Sequence, residues 1–149
     1  MDSSSKEGAV LLACTQNAVR SPMAAAMLRH LTRERLYIES AGVRAGDLDP
    51  LAVEAMAEIG LEIGKHKPRR FEDLEDGSFD LVITLSPEAH HKAMELTRTA
   101  ATKVEYWPTI DPTVTEGSRE QRLMAYRMVR DQLMQRLKQR FLAPAAADT

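Results

Sequence analysis

The only cysteine of the chain, Cys14, is followed six residues later by Arg20 and then by Ser21. Residues of these types at this spacing suit an oxyanion-binding loop built around a thiolate. The run Ala9 to Ala13 (AVLLA) that precedes Cys14 reads as a buried strand, and a helical pattern follows Ser21. A strand–loop–helix turn aims successive backbone N–H groups and the positive helix end at one point, where a phosphate fits. The same field favours a thiolate over a thiol. Arg20 offers a planar fork matched to two phosphoryl oxygens, a geometry that lysine lacks. Ser21 can donate its hydroxyl to the sulfur. The plainer reading makes Cys14 core filler, Arg20 a solvated helix charge and Ser21 a cap. The conjunction of all three in a strand–loop–helix context outweighs it.

Phosphoryl transfer to sulfur also needs a proton for the departing oxygen. Asp111 follows the fourth predicted strand, on the side where Cys14 is expected, although Asp111-Pro112 alone reads as a turn starter. His66 by itself is an ordinary surface or hydrogen-bonded histidine. His90 and His91 are adjacent in an exposed helical pattern and do not share a face, so they form no metal site. Arg69, Arg70 and the charges of the last helix read as solvated surface, with a basic rim that helps dock an anionic substrate as the alternative. No cofactor and no metal is called for, since a thiolate and an arginine clamp replace one.

Four strands alternating with helices must position these groups. The strands are expected at Ala9 to Ala13, Tyr37 to Ala41, Leu81 to Leu85 and Lys103 to Trp107. Helices are expected at Ser21 to Arg35 (capped by Ser21, with Pro22 first), Pro50 to Ile59 (stopped by Gly60), Ser86 to about Arg98, and Ser118 to Phe141. The last carries Leu123, Tyr126, Val129, Leu133, Leu137 and Phe141 on one stripe. Alternation of this kind implies an α/β fold, a three-layer, four-stranded parallel sheet with helices on both faces. In such folds ligands sit beyond the carboxyl ends of the strands, so chemistry should gather after Ala13, Ala41, Leu85 and Trp107.

The chain has 149 residues, 44% hydrophobic and 28% charged, with a formal net charge of −2. That suits one domain spanning residues 1–149, with Met1 to Glu7 and Ala143 to Thr149 as disordered tails. No global field favours nucleic acid or a membrane surface. No apolar run is long enough for a bilayer, and the polar start lacks a signal sequence, so a cytoplasmic location is expected. A single cysteine excludes an intramolecular disulfide.

The segment VLLACTQNAVRSPMAAAML resembles the signature of the low-molecular-weight protein tyrosine phosphatases, whose fold is flavodoxin-like. Ser40 to Gly42 (SAG), GKHKPRRF around His66, FDLVITL and Asp111-Pro112 are similar to further segments of that family. The resemblance implies that Cys14 is the nucleophile, Arg20 the transition-state clamp and Asp111 the general acid and base. Thr15, Gln16, Asn17, Ala18, Val19 and Ser21 would form the phosphate-binding loop. Asn17 would hold a left-handed turn, which asparagine tolerates, with Ser21 and Ser40 pinning it or the thiolate, and His66 supporting the loop. The implied ligands are a phosphorylated protein or small aryl phosphate, and inorganic phosphate or arsenate.

Departures from that pattern are specific. Thr113 and Val114 stand where the phosphatases carry tyrosines, Val19 where they carry a second loop cysteine, and Ser86 where many carry an acid. The related arsenate reductases are a rival reading, suggested by Cys14-Thr15, WPTIDP and MVRDQLMQRLKQRF. The thioredoxin-coupled type needs two more cysteines, so only a reductase served by an external thiol or glutaredoxin survives. Pro22 matches the phosphatases, where those reductases carry Gln, which ranks the phosphatase first. A non-catalytic phosphate-binding regulator ranks third, because binding alone needs neither thiolate nor acid.

Overall fold

Five of the six residues of Ala9–Cys14 (β1) are buried, as an unbroken apolar run between two helical layers requires. The computed structural model describes residues 8–75, 78–98 and 100–142; the expected disordered tails lie outside them. β1 pairs in parallel with Tyr37–Gly42 (β2) on one side and Leu81–Thr84 (β3) on the other, and β3 pairs with Lys103–Tyr106 (β4). The order is β2-β1-β3-β4. Cys14 is level with Gly42, Ala13 with Thr84, and Thr84 with Tyr106. The four carboxyl ends therefore meet at one edge, with the strand order reversing around β1 so that a crevice opens there.

Side chains alternate across the sheet. Val10, Leu12 and Ile83 pack against Met23, Met27 and Leu28 of Arg20–Thr32 (α1), Met56 of Pro50–Ala57 (α2), and Leu133 and Leu137 of Arg119–Phe141 (α4). Leu11, Ala13 and Val82 face the other way, onto Ala89 and Ala93 of Pro87–Leu96 (α3), with Phe71 and Phe79 closing that layer. Helices thus cover both faces, as expected of the alternating pattern. Among the described residues no helix is long and apolar enough to cross a membrane.

Several boundaries differ from expectation for local reasons. Ser21 is not the cap of α1: Val19 holds that position without a side-chain bond, and Arg20 and Ser21 already lie inside the helix. The helix ends at Thr32 rather than Arg35, because Arg33 and Glu34 turn left-handed at φ 54° and 62°. α2 stops at Ala57, and Gly60 takes its positive φ of 81° beyond the end. α3 is capped by the Ser86 hydroxyl and ends at Leu96, short of Arg98. Ser118 and Gln121 form a reciprocal capping box at the start of α4. β1 and β2 run one residue further than expected and β3 and β4 one residue less. Two short 3₁₀ turns, Phe71–Asp73 and Pro112–Val114, have no periodic signal in the sequence.

The charges of α4 are not simply solvated. Arg130, 8% exposed, donates to the Ala55 carbonyl at 2.7 Å and to Glu58 Oε1 at 2.9 Å. Arg127 reaches the same carboxylate at 2.7 Å. These bonds, from Arg127 and then Arg130, pull the Glu58 carboxyl down to about 2. Arg140 pairs with Glu105 of β4.

Candidate functional site

The residues after β1 form a loop whose carbonyls are accounted for by the segment after β2. The carbonyls of Cys14, Thr15, Gln16 and Ala18 accept from the backbone N–H of Val43, Arg44, Gly46 and Asp49 at 3.2, 2.8, 2.9 and 3.2 Å. A trans peptide points its N–H opposite its C=O. Holding these carbonyls outward therefore turns the N–H groups of Thr15, Gln16, Asn17 and Val19 inward, toward one anion-sized concavity. Gly42 permits the close approach of the two segments. A Cβ there would lie 2.6 Å from the Arg44 oxygen, 2.7 Å from the Asn17 nitrogen and 2.9 Å from the Gln16 carbonyl carbon.

Asn17 sits at the loop's apex with φ 54° and is completely buried. Its Nδ2 donates to Ser21 Oγ at 2.8 Å and to Ser40 Oγ at 2.9 Å. Its Oδ1 accepts from the Arg69 backbone N–H at 2.9 Å and faces His66 Nε2 at 3.0 Å. His66 Nε2 also faces the Asn17 carbonyl at 3.2 Å. Both partners are acceptors, so Nε2 carries the proton. Burial pushes the His66 imidazolium's pKa down, against the hydrogen bond to Asn17, and keeps the ring neutral. Asn17, Ser21, Ser40 and His66, picked out separately in the sequence, are thus one connected layer beneath the loop. Arg69 belongs to it too, which corrects its reading as solvated surface: it supplies a backbone donor to Asn17, and its side chain pairs with Glu39 and bonds the Ser40 carbonyl. No spacing rule singles out a backbone N–H, and the register of residues 66–69 against the loop is a tertiary fact.

Above this layer, Cys14, Thr15, Gln16, Ala18, Val19, Arg20 and Asp111 line one cleft of about 460 Å³. Cys14 is 2% exposed, and its Sγ lies 2.9 Å from Ser21 Oγ. A thiolate only accepts, so in that state the Ser21 hydroxyl is the donor, and Asn17 Nδ2 fills one of its lone pairs. Placing Ser21 inside the first turn of α1 is what turns its hydroxyl to the sulfur instead of to the helix end. Arg20, 8% exposed, is anchored by Nη1 on the Thr109 carbonyl at 2.9 Å, which leaves its Nε–Nη2 edge for a ligand. Its Nη2 is 4.0 Å from Asp111 Oδ2. Asp111 Oδ1 accepts from both the backbone and the hydroxyl of Thr113, at 3.0 and 2.7 Å. The turn reading of Asp111-Pro112 and a chemical reading are therefore compatible: one oxygen makes the turn while the other faces the cleft side.

The remaining walls come from the other strand ends. Arg44, Asp47 and Asp49 follow β2, and Ser86, Pro87 and Glu88 open α3. Thr15 Oγ1 donates to Glu88 Oε1 at 3.2 Å and lies 2.9 Å from Ser86 Oγ, tying the loop to α3. Asp49 caps α2 through Leu51 and accepts from the Tyr126 hydroxyl, whose proton is held more tightly by burial first and by that carboxylate second. All four strand ends contribute, as the open-sheet rule requires. Of the two adjacent histidines, His91 is exposed, but His90 is half-buried, stacked on Tyr106 and bonded to Thr84. The exposed pattern assigned to His90 is corrected by that ring stack. Among the described residues no group of three or more His, Cys, Asp or Glu side chains is arranged to hold a metal.

Known proteins resemble this arrangement along nearly its whole length. A family described as low molecular weight phosphotyrosine protein phosphatase matches residues 9–144. The arsenate reductase of Shouchella clausii is 37% identical over 126 residues, 84% of this chain and 88% of that protein. Among solved structures, the tyrosine phosphatase AmsI of Erwinia amylovora superposes with a TM-score of 0.71 at 18% identity, covering 91% of each chain, a likeness of fold. An arsenate reductase in a phosphate-binding state gives a TM-score of 0.67 at 25% identity, covering 87% of this chain and 93% of that one. A match running from the first strand past the end of the last helix leaves one conclusion: this chain belongs to the low molecular weight phosphotyrosine protein phosphatase family.

Proposed function

We propose that the protein is a phosphomonoester hydrolase working through a phosphocysteine on Cys14. The observation that carries this reading is the shared cleft: Cys14 and Arg20, both buried, border it together with Asp111, one of whose carboxyl oxygens lies 4.0 Å from Arg20 Nη2. In the first step the Cys14 thiolate attacks phosphorus, the P–O bond to the leaving group breaks, and Asp111 Oδ2 gives its proton to the departing oxygen. Inward loop N–H groups and the open edge of Arg20 hold the three equatorial oxygens, where charge spreads in the transition state. In the second step Asp111, now a carboxylate, takes a proton from water while the water oxygen attacks phosphorus. The S–P bond breaks, and the sulfur leaves as a thiolate accepting from Ser21. Inorganic phosphate departs and the site is reset.

A second reading has its own support, since the Shouchella clausii relative bears the name arsenate reductase. Arsenate fits the same loop, and Cys14 would form an S–As bond with loss of water. With one cysteine in the chain, the electrons must come from outside. An external thiolate attacks Cys14 sulfur, the S–As electron pair passes to arsenic, and arsenite leaves a mixed disulfide that a second thiol reduces. This reading explains Cys14 and Arg20 but gives Asp111 less to do, which is why the hydrolase ranks first.

Paired assays separate the two. The hydrolase reading expects turnover of para-nitrophenyl phosphate without added thiol, lost in Cys14→Ser, and no arsenate consumption with a small thiol or glutaredoxin. The reverse pattern establishes the reductase. Tight phosphate binding with turnover of neither compound leaves a phosphate-binding regulator and removes both enzyme readings.

A further inference from the structure

The buried and the exposed residues of the cleft carry opposite chemistry. Loop N–H groups and the buried Arg20 form a floor that suits a dianion. The exposed Asp47 and Glu88 and the half-buried Asp49 also line the cleft; among the described residues Arg44 is the one lining cation besides Arg20, and none of the lining residues is aromatic. This is a built site: Cys14 and Arg20 are 2% and 8% exposed and both border the cleft. Two of the three rim carboxylates are fixed by hydrogen bonds. Asp47 lies between Gly46 and Asp49, whose N–H groups are bonded to the loop itself, and among the described residues it has no hydrogen-bond or ion-pair partner of its own. Glu88 is in the first turn of α3, and the Thr15 hydroxyl keeps its carboxylate turned to the loop. Asp49 is fixed by Leu51 and Tyr126.

Carboxylates set this close to an anion-binding floor oppose the approach of a bare dianion. They serve a substrate that brings positive charge beside its phosphoryl group, and they reject one that brings more negative charge. Without an aromatic wall, an isolated aryl group gains no stacking there, so the rim's charge is left as the main discriminating feature. We propose that the cleft selects phosphorylated peptides with lysine or arginine next to the phosphorylated residue, with Asp47 and Glu88 as the specificity-determining side chains. The inference rests on the phosphomonoester reading above and names its substrate class.

The test compares two phosphotyrosine peptides of equal length, one flanked on both sides by lysine and one by glutamate, with para-nitrophenyl phosphate as the uncharged-neighbour reference. The expected kcat/KM ratio, lysine-flanked over glutamate-flanked, is about tenfold or more at low ionic strength and shrinks toward unity in about 0.5 M salt. In the double variant Asp47→Asn, Glu88→Gln the ratio, each peptide measured on the same preparation, should also fall toward unity. Equal rates for the two peptides in the unaltered chain overturn the proposal, as does a ratio that neither salt nor the double variant moves. Turnover of para-nitrophenyl phosphate with equal peptide rates sinks the rim's role alone. Absence of turnover on all three phosphates contradicts the hydrolase reading itself.

Discussion

Replacing Arg20 by lysine keeps the charge and loses the fork. Lysine cannot hold Thr109 and two phosphoryl oxygens at once, so Arg20→Lys should lower kcat for para-nitrophenyl phosphate by about 10²–10³. A loss below tenfold would show that charge alone suffices and that the anchoring on Thr109 is incidental. Asn17 is the other residue on which the loop turns. Asn17→Ala removes an αL-tolerant residue and leaves the Arg69 N–H, His66 Nε2 and two hydroxyls short of a partner. The expected cost is about 2–4 kcal/mol in denaturant unfolding, from several buried groups losing bonds together, with weakened phosphate binding measured by calorimetry. The meeting of Cys14, Arg20 and Ser21 was legible because their spacing lies within one local segment. Arg69 was not, since it acts through a backbone N–H that reaches the loop from 52 residues away.

At the scale of elements, the loop is shaped from outside by the segment after β2. Gly42→Ala places a methyl group within 3 Å of backbone atoms of Gln16, Asn17 and Arg44, on both sides of that contact, and backbone cannot swing aside as a side chain can. Phosphate affinity and thermal stability should both fall in this variant, and unchanged affinity would mean that the bracing segment does not set the loop's geometry. His66 joins the brace from a third segment, and its sign with pH is definite. Its folded-state pKa lies below the unfolded value of about 6.5, so the unfolded chain binds the extra proton first. Stability is therefore complete above pH about 6.5 and declines as pH falls through the folded value. Denaturant titrations at a series of pH values should show this decline, and His66→Gln should abolish it. The helices and strands themselves were readable from period and punctuation. One end shifted because a tertiary contact overrode a local signal, as Ser21 turned to sulfur instead of capping α1; others followed local backbone turns, as at Arg33 and Glu34.

For the whole molecule, parallel strands with helices on both faces bring four strand ends to one edge, and the chain belongs to a family of enzymes. The strand order, and with it the crevice between β1 and β3, follows from packing that no periodicity encodes. Acid should unfold the molecule partly through the ion pairs joining α2 to α4: the Glu58 carboxyl, held at about 2, contributes stability above its unfolded value that is lost as pH falls toward 2. Glu58→Gln should flatten that part of the acid transition while leaving unfolding near neutrality cooperative. Covalent catalysis at Cys14, as proposed, is checked most directly by mixing Asp111→Ala with excess para-nitrophenyl phosphate and following the protein by intact mass and phosphorus NMR. The expected result is a mass gain of one phosphoryl group, a phosphorus resonance of an S-phosphocysteine, and loss of both when Cys14→Ala is added. Release of phosphate with no covalent species, or a phosphoryl group on any other residue, would contradict it.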